Sequence, residues 1–201
     1  MKLYYVPRTR ATRPRWMLEE LGVPYELVRL DPSKGETRTP EHLARQPLGH
    51  VPALEDGDVT LFESAAICLW LAERFPEKGL VPPPGTAGRA AAYQWLFFAE
   101  TELEPPLGEI SRQNRRPEAE RDAAAIADAR KRFLAAAAAL EAPLARNAYL
   151  LGGAFTVADL VAGACTSWGK ALAGGLDGLP SVEAWLGRLK ARPAWKRATA
   201  D

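Results

Sequence analysis

The stretch LGHVPALEDGDVTLFES, residues 48–64, decides how the rest of the chain is read. Two strand-like runs flank Asp56-Gly57, and a glycine there supplies the positive φ that a tight hairpin turn requires. Ser64 stands where a helix cap belongs, followed by Ala65, Ile67, Cys68, Leu69, Trp70 and Leu71 at helical spacing until Phe75-Pro76. Val51-Pro52 opens the first of the two strands, where proline removes a ladder donor unless it lies at an edge or a bulge. A cis bond would also explain it, although X-Pro bonds are cis in only about 5–6% of folded cases.

Working backwards, KLYYVPRTRATRPRWMLEELGVPYELVRL (residues 2–30) begins with an apolar run, Lys2 to Val6, and ends with a second one, Tyr25 to Leu30. Between them Trp16, Met17, Leu18 and Leu21 recur on a helical repeat that stops at Gly22, which makes the segment a βαβ unit with a parallel strand pair. Residues 31–49 read as a polar loop with a short helix over 40–45. Working forwards, FPEKGLVPPPGTAG (residues 75–88) sets three consecutive prolines between glycines and cannot continue a helix or a central strand. We read residues 77–86 as a linker between an N-terminal α/β domain, 1–76, and an all-helical domain, 87–201. Helices are expected over roughly 87–112, 117–141, 156–172 and 181–192. FTVADL, residues 155–160, gives a complete start signal, with Thr156 as N-cap, Asp159 reaching back and Phe155 stapling onto Leu160.

The totals exclude several function classes. Across 201 residues, 26 basic and 25 acidic side chains nearly cancel, so no global field draws the chain to nucleic acid or to an anionic membrane. Only two cysteines occur, Cys68 and Cys165, both in apolar helix-like segments, which argues against a disulfide framework or a metal cage. They are expected to behave as small buried hydrophobes. The N-terminus lacks a signal-peptide pattern and no apolar run has the length of a membrane span, so a cytoplasmic protein is expected. Four arginines, Arg8, Arg10, Arg13 and Arg15, gather at one helix end and raise RNA or acidic-partner binding as a minor reading.

Taken together, the hairpin motif, the linker and the FTVADL helix start resemble, in that order and over nearly the whole chain, the soluble glutathione transferase family. The resemblance implies a thioredoxin-like N-terminal domain that binds glutathione, a helical C-terminal domain that shapes a pocket for a hydrophobic electrophile, and a homodimer. Glutathione is then a co-substrate and no cofactor or metal is bound permanently. By carry-over the Val51-Pro52 bond is cis, and the backbone of Val51 pairs with the cysteinyl backbone of glutathione. Glu63 meets the γ-glutamyl ammonium and Ser64 its carboxylate, aided by the helix N-terminus. The plain alternative is that Ser64 only caps the helix and Glu63 only favours its dipole. His50 stands where relatives carry a basic residue toward the glycyl end, and it either contacts the ligand or is merely solvated.

The thiolate needs a stabilising donor, since a free thiol has a pKa of about 8.5. In the loop PRTRATR, residues 7–13, Thr9 takes the position of the serine in theta-like relatives and Arg10 that of the cysteine in beta-class bacterial relatives, which are the expected nearest classes. Thr9 is the first choice as catalytic hydroxyl, with Arg10 as a charge and Thr12 as a competing hydroxyl whose simplest role is helix N-cap. No cysteine stands in this loop, which argues against glutaredoxin-type exchange. Peroxide or disulfide reduction by glutathione alone stays open, as does a non-catalytic binding or interaction protein on the same fold. Glu100, Glu102 and Glu104 lie near an expected kink at Pro105-Pro106, with Arg112, Arg115 and Arg116 beyond, and all are expected mainly on a solvated face.

Overall fold

The sheet is a four-stranded one, ordered β2-β1-β3-β4, built from β1 (Lys2–Tyr5), β2 (Glu26–Arg29), β3 (Ala53–Asp56) and β4 (Val59–Phe62). In the computed structural model, which describes residues 1–200, β1 and β2 run parallel with Leu3 opposite Leu27, the pairing that a crossover through a helix allows. That helix is α1 (Thr12–Leu21), which ends where the Gly22 N–H bonds back to the Leu18 carbonyl at φ 67°. β3 pairs antiparallel with both β1 and β4, and Asp56 faces Val59 across a two-residue turn. Leu3, Leu54, Trp16, Met17 and Ile67 have no exposed surface and mark the core of this part of the chain. α2 (Pro40–Arg45) is the short helix expected over 40–45, and α3 (Ser64–Arg74) buries Ile67, Cys68, Leu71 and Ala72.

The chain divides into two units, one of Met1–Val81 together with the segment from Ala191 onward, the other Pro82–Lys190. The tail thus goes with the α/β unit and not with the helical region to which the sequence assigns it. Its helix α10 (Pro193–Ala198) packs on α1: the Trp195 ring meets Trp16 edge-on at 4.7 Å, and Arg192 donates twice to Glu20, at 2.6 and 2.8 Å. Those contacts join residues far apart in sequence, so spacing along the tail carries no sign of them.

In the helical unit, α4 (Ala87–Phe98) runs through a π-helical turn, Ala99–Leu103, into α5 (Glu104–Asn114). Pro105 and Pro106 lack the N–H groups that the carbonyls four residues back need, and the helix widens at that point. α6 (Ala123–Ala138), α7 (Glu141–Arg146), α8 (Val157–Ala173) and α9 (Pro180–Ala191) complete the set. α8 is buried almost all round, and its glycines explain how neighbours come so close. A Cβ at Gly169 would lie 2.1 Å from the Phe133 ring of α6, and one at Gly163 would lie 2.2 Å from Leu189 of α9. At its start Asp159, fully buried, accepts four bonds, from the Leu150 and Thr156 N–H groups, the Thr156 hydroxyl and the Trp185 indole. Burial pushes its carboxyl above the usual range, and these donors oppose that.

Candidate functional site

Register places three connections at one end of the sheet. Tyr4 sits opposite Ala53 and Ala53 opposite Phe62, so the end of β1, the start of β3 and the end of β4 lie side by side. The loop carrying Thr9, the turn carrying His50, Val51 and Pro52, and the Glu63-Ser64 junction all leave the sheet there.

In the first loop, Arg8 has φ 58°, a left-handed conformation uncommon for a residue with a side chain. Next to it the Thr9 hydroxyl donates to the Val6 carbonyl at 2.6 Å and accepts from the Ala11 N–H at 3.3 Å. Thr9 is half-buried and Arg10 is exposed. Thr12 is not the cap of α1 but its first residue; Ala11 holds the cap position and no side chain caps the helix. Nor do the four arginines form one solvated patch. Arg13 is only 3% exposed and its Nη1 donates to the Ser64 hydroxyl oxygen at 2.9 Å, while Arg15 lies over the Tyr5 ring and donates to the Arg197 carbonyl.

The Val51-Pro52 bond is cis. Pro52 is buried and the side chain of His50 is exposed. The approach to Val51 is held by residues that the sequence reading left without a role. Gln46, 4% exposed, accepts from the Leu48 and His50 N–H groups at 2.8 and 2.9 Å. His42, 1% exposed, bonds through Nε2 to the His50 carbonyl at 2.7 Å, so the tautomer with the proton on Nε2 is the one that fits; its Nδ1 is buried without a partner. Gly49, at φ 63°, has room for no side chain, since a Cβ would lie 2.6 Å from the Thr37 carbonyl. Behind this turn Tyr4 donates to Glu55 at 2.7 Å and Arg45 does the same from its Nε, with the guanidinium 4.4 Å from the Tyr4 ring centre. The bonds from Tyr4 and Arg45 together hold the Glu55 carboxyl below the usual range, while burial and Glu55 raise the Tyr4 phenol.

At the third connection Glu63 is exposed, with φ 71° and ψ 113°, and occupies the cap position of α3. Ser64 is therefore not the cap that the sequence suggests; it is the first helical residue, 3% exposed, and no side chain caps the helix. The first-turn N–H groups are left to bind an anion. Because the Ser64 oxygen already accepts from Arg13, its own proton is free to be donated elsewhere.

The comparisons with known proteins bear on this arrangement. Residues 1–73 match the model for the glutathione S-transferase N-terminal domain, and residues 90–193 match that for the C-terminal domain. The chain belongs to the glutathione S-transferase family. It is 36% identical to the probable glutathione S-transferase GSTF2 of rice, covering 100% of this chain and 96% of that protein. It is 34% identical to glutathione S-transferase 3 of maize, covering 100% and 93%. Among solved structures, the ternary complex of the bacterial glutathione S-transferase BphK superposes with a TM-score of 0.87 at 29% identity, over 100% of this chain and 98% of that one. A Pseudomonas fluorescens family member with two glutathione molecules bound gives 0.88 at 26% identity, over 98% and 91%. The expected theta- or beta-like class is not singled out; these curated relatives are plant enzymes, and several others carry the F designation, as in Arabidopsis F10 and F9.

For a glutathione S-transferase the helical unit departs from expectation in one respect. Glu104, expected on a solvated face, is 7% exposed, and the Cys165 thiol donates to it at 3.6 Å. Ligand atoms of Glu100, Glu104 and Cys165 lie within 4.8 Å of one another, brought together by the π turn. Glu102 is exposed, and Arg112 is engaged by Glu109 through two bonds of 2.7 Å and one of 3.2 Å. Arg115 and Arg116 are exposed. Among the described residues neither cysteine forms a disulfide, and no helix is long and apolar enough to cross a membrane. Arg13, missed as a site residue, lies three positions before Trp16 on the buried stripe of α1, and that periodicity is the signal for it. Gln46 and His42 act through bonds to a turn, and no sequence pattern marks them.

Proposed function

We propose that this chain binds glutathione at the sheet end just described and joins its thiolate to a small electrophile, so that the whole glutathionyl group is transferred. The γ-glutamyl carboxylate docks on the first turn of α3 and accepts a hydrogen bond from the Ser64 hydroxyl, Glu63 pairs with the ammonium, and the Val51 backbone pairs with the cysteinyl unit beside Pro52. His50 reaches toward the glycyl end. Thr9 then faces the sulfur and stabilises the thiolate by turning its hydroxyl from the Val6 carbonyl, with Arg10 and Thr12 as the other groups in reach of that loop. Attack on carbon expels the leaving group with its electron pair, and the thiol proton passes to solvent.

The observation that carries this reading is the start of α3: no side chain caps it, and Ser64, its oxygen held by Arg13, keeps a proton to donate. Isothermal titration with glutathione, followed by conjugation of chlorodinitrobenzene, is the test. Micromolar to millimolar binding, weakened at least several-fold in Ser64→Ala, is expected together with turnover. Binding without turnover over electrophiles, peroxides and disulfides favours the non-catalytic alternative, and absence of binding removes both. The same thiolate serves peroxide reduction, in which two glutathiones and a hydroperoxide give the alcohol, water and glutathione disulfide. The reading also includes a cytoplasmic homodimer, supported by the large apolar side chains Tyr93 and Phe97, which are 39% and 68% exposed on α4, and tested by sedimentation.

A further inference from the structure

In the helical unit a cavity of about 210 Å³ opens where α8 ends beside α6. Sites for drug-sized ligands commonly run from roughly 300 to 1,000 Å³, so this one suits a compact molecule. Leu134 and Ala138 of α6, with Leu179 at the start of α9, give it apolar walls, and Leu134 is 37% exposed. The rest of its lining is Ala173, Gly174, Gly175 and Asp177, the end of α8 and the turn after it. Two features make that side negative. The Lys170 carbonyl accepts from the Gly174 and Gly175 N–H groups, whereas the carbonyls of Ala171, Leu172 and Ala173 accept from no backbone N–H among the described residues. They leave the partial negative charge of a 17-residue helix at the wall, and the two glycines carry no side chain to cover it.

The second feature is Asp177. Among the described residues that line the cavity it is the one ionisable group, and it makes no hydrogen bond or ion pair with another described residue. A Cβ on Gly175 would lie 3.5 Å from its Oδ1, so the carboxylate is folded back over the bare end of the helix. The cations on the adjoining elements are placed elsewhere. Lys170, in the last turn of α8, is paired with Glu183, and Arg130 and Lys131, one turn before Leu134 on α6, do not line the cavity. The start of α9 is also accounted for, because the Glu141 carboxylate accepts from the Ser181 and Val182 N–H groups at 2.9 and 3.1 Å. The helix N-terminus beside the cavity thus already holds an acid.

We infer that this cavity binds a small organic ammonium ion, its nitrogen between Asp177 and the end of α8 and its apolar body against Leu134, Ala138 and Leu179. An ammonium group brings several donors, enough for the carboxylate and for helix carbonyls at once, and hydrogen bonds of this charged kind are the stronger ones. The apolar body takes the Leu134 surface out of water, which a bare metal ion would not do. The inference stands apart from the transferase reading, since every residue that lines the cavity falls between positions 134 and 179, within the helical unit.

The test is titration calorimetry at neutral pH with benzylammonium, benzyl alcohol and benzoate, which share one ring and differ in charge. Benzylammonium is expected to bind in the millimolar range, as suits so small a ligand. Benzyl alcohol should bind about three- to tenfold more weakly, the effect of one charged partner at a solvent-exposed carboxylate, and benzoate more weakly still. Asp177→Asn should bring benzylammonium down to the level of the alcohol and leave the alcohol unchanged. Ala138→Trp, at an exposed position on α6, should fill the cavity and remove binding of both. Absence of benzylammonium binding at tens of millimolar, equal affinity for the alcohol, or preference for benzoate overturns the inference. So does a benzylammonium affinity unchanged in Asp177→Asn or in Ala138→Trp, because the ligand then sits elsewhere or its charge goes unread. If glutathione fails to bind while the three ring compounds behave as expected, the transferase reading falls and this site stands.

Discussion

Replacing Thr9 by valine removes the hydroxyl while keeping a branched side chain of similar shape. The hydroxyl has one proton, and in this structure it is donated to the Val6 carbonyl at 2.6 Å. To hold a thiolate it must exchange that neutral bond, worth roughly 0.5–1.5 kcal/mol, for a charge-assisted one of roughly 1.5–3 kcal/mol, a net gain of about 1.3 kcal/mol. That is about one pKa unit, which lowers a thiol from about 8.5 to about 7.5 if nothing else acts on it. The variant should therefore raise the pKa of bound glutathione by about one unit. Its kcat/KM at about pH 6.5 should fall about tenfold, because there the thiolate fraction scales directly with the acid constant. Well above both pKa values the two proteins ionise the thiol fully and the gap closes. Titration of the thiolate's ultraviolet absorbance in the binary complex and the pH profile of kcat/KM measure both effects, with Thr9→Ser expected to restore them. An unshifted thiol pKa and an unchanged profile in Thr9→Val would mean that the hydroxyl stays on Val6 and takes no part.

Other consequences are simpler to state. Asp159→Ala leaves four buried donors without an acceptor, and at about 1–3 kcal/mol each, partly relieved by water and relaxation, urea unfolding should show a loss of about 3–5 kcal/mol. The raised carboxyl of Asp159 contributes most below its unfolded value of about 3.9 and less as pH rises through the folded value, so Asp159→Asn should flatten that slope in the difference between variant and wild-type stabilities. Glu55 has the opposite sign. Its carboxyl is held low by Tyr4 and Arg45, so its contribution is present above about pH 4.3 and disappears as pH falls through the lowered value, a dependence that Glu55→Gln should remove. His42→Ala frees the His50 carbonyl and should raise the KM for glutathione about three- to tenfold, the effect of one net hydrogen bond, with little change in kcat; an equal fall in kcat would place His42 in the chemistry instead.

What the sequence reveals of the fold divides by the range of the interactions. The hairpin around Gly57, the α8 start at Thr156 and the break before Ala87 depend on residues within a few positions of one another, and each is readable from local pattern. The tail is different. Pro193–Ala198 carries a helical pattern consistent with either unit, and only Trp195 on Trp16 and Arg192 on Glu20 decide where it goes. The site divides in the same way. Val51, Pro52, Glu63 and Ser64 fall inside one contiguous motif, so they can be named as a set. Arg13 looks like a fourth surface arginine until the structure brings it to Ser64 across 51 positions of sequence. The caps illustrate a finer limit: serine and threonine at a helix start signal a cap, yet Thr12 and Ser64 each sit one residue inside, because Ala11 and Glu63 take the cap position.

The two residues that break backbone preference bring these observations together. Among the described residues with side chains, only Arg8 and Glu63 have positive φ, and they border the two segments on which the proposed glutathione site depends. Conformations of this kind cost about 1–3 kcal/mol each, and glycine at either position would remove that cost. Glycine would also remove the guanidinium and the carboxylate. Glu63 carries the one acid proposed for the ligand ammonium, and its position lets Ser64 enter the helix, where Arg13 fixes its oxygen. Arg8 sits immediately before Thr9 and lines a cavity of about 250 Å³ beside that loop. Neither side chain is buried, so packing does not account for their presence in strained backbone. The proposed glutathione site accounts for it at Glu63, whose carboxylate has to reach the ligand ammonium from a turn that only glycine adopts without cost.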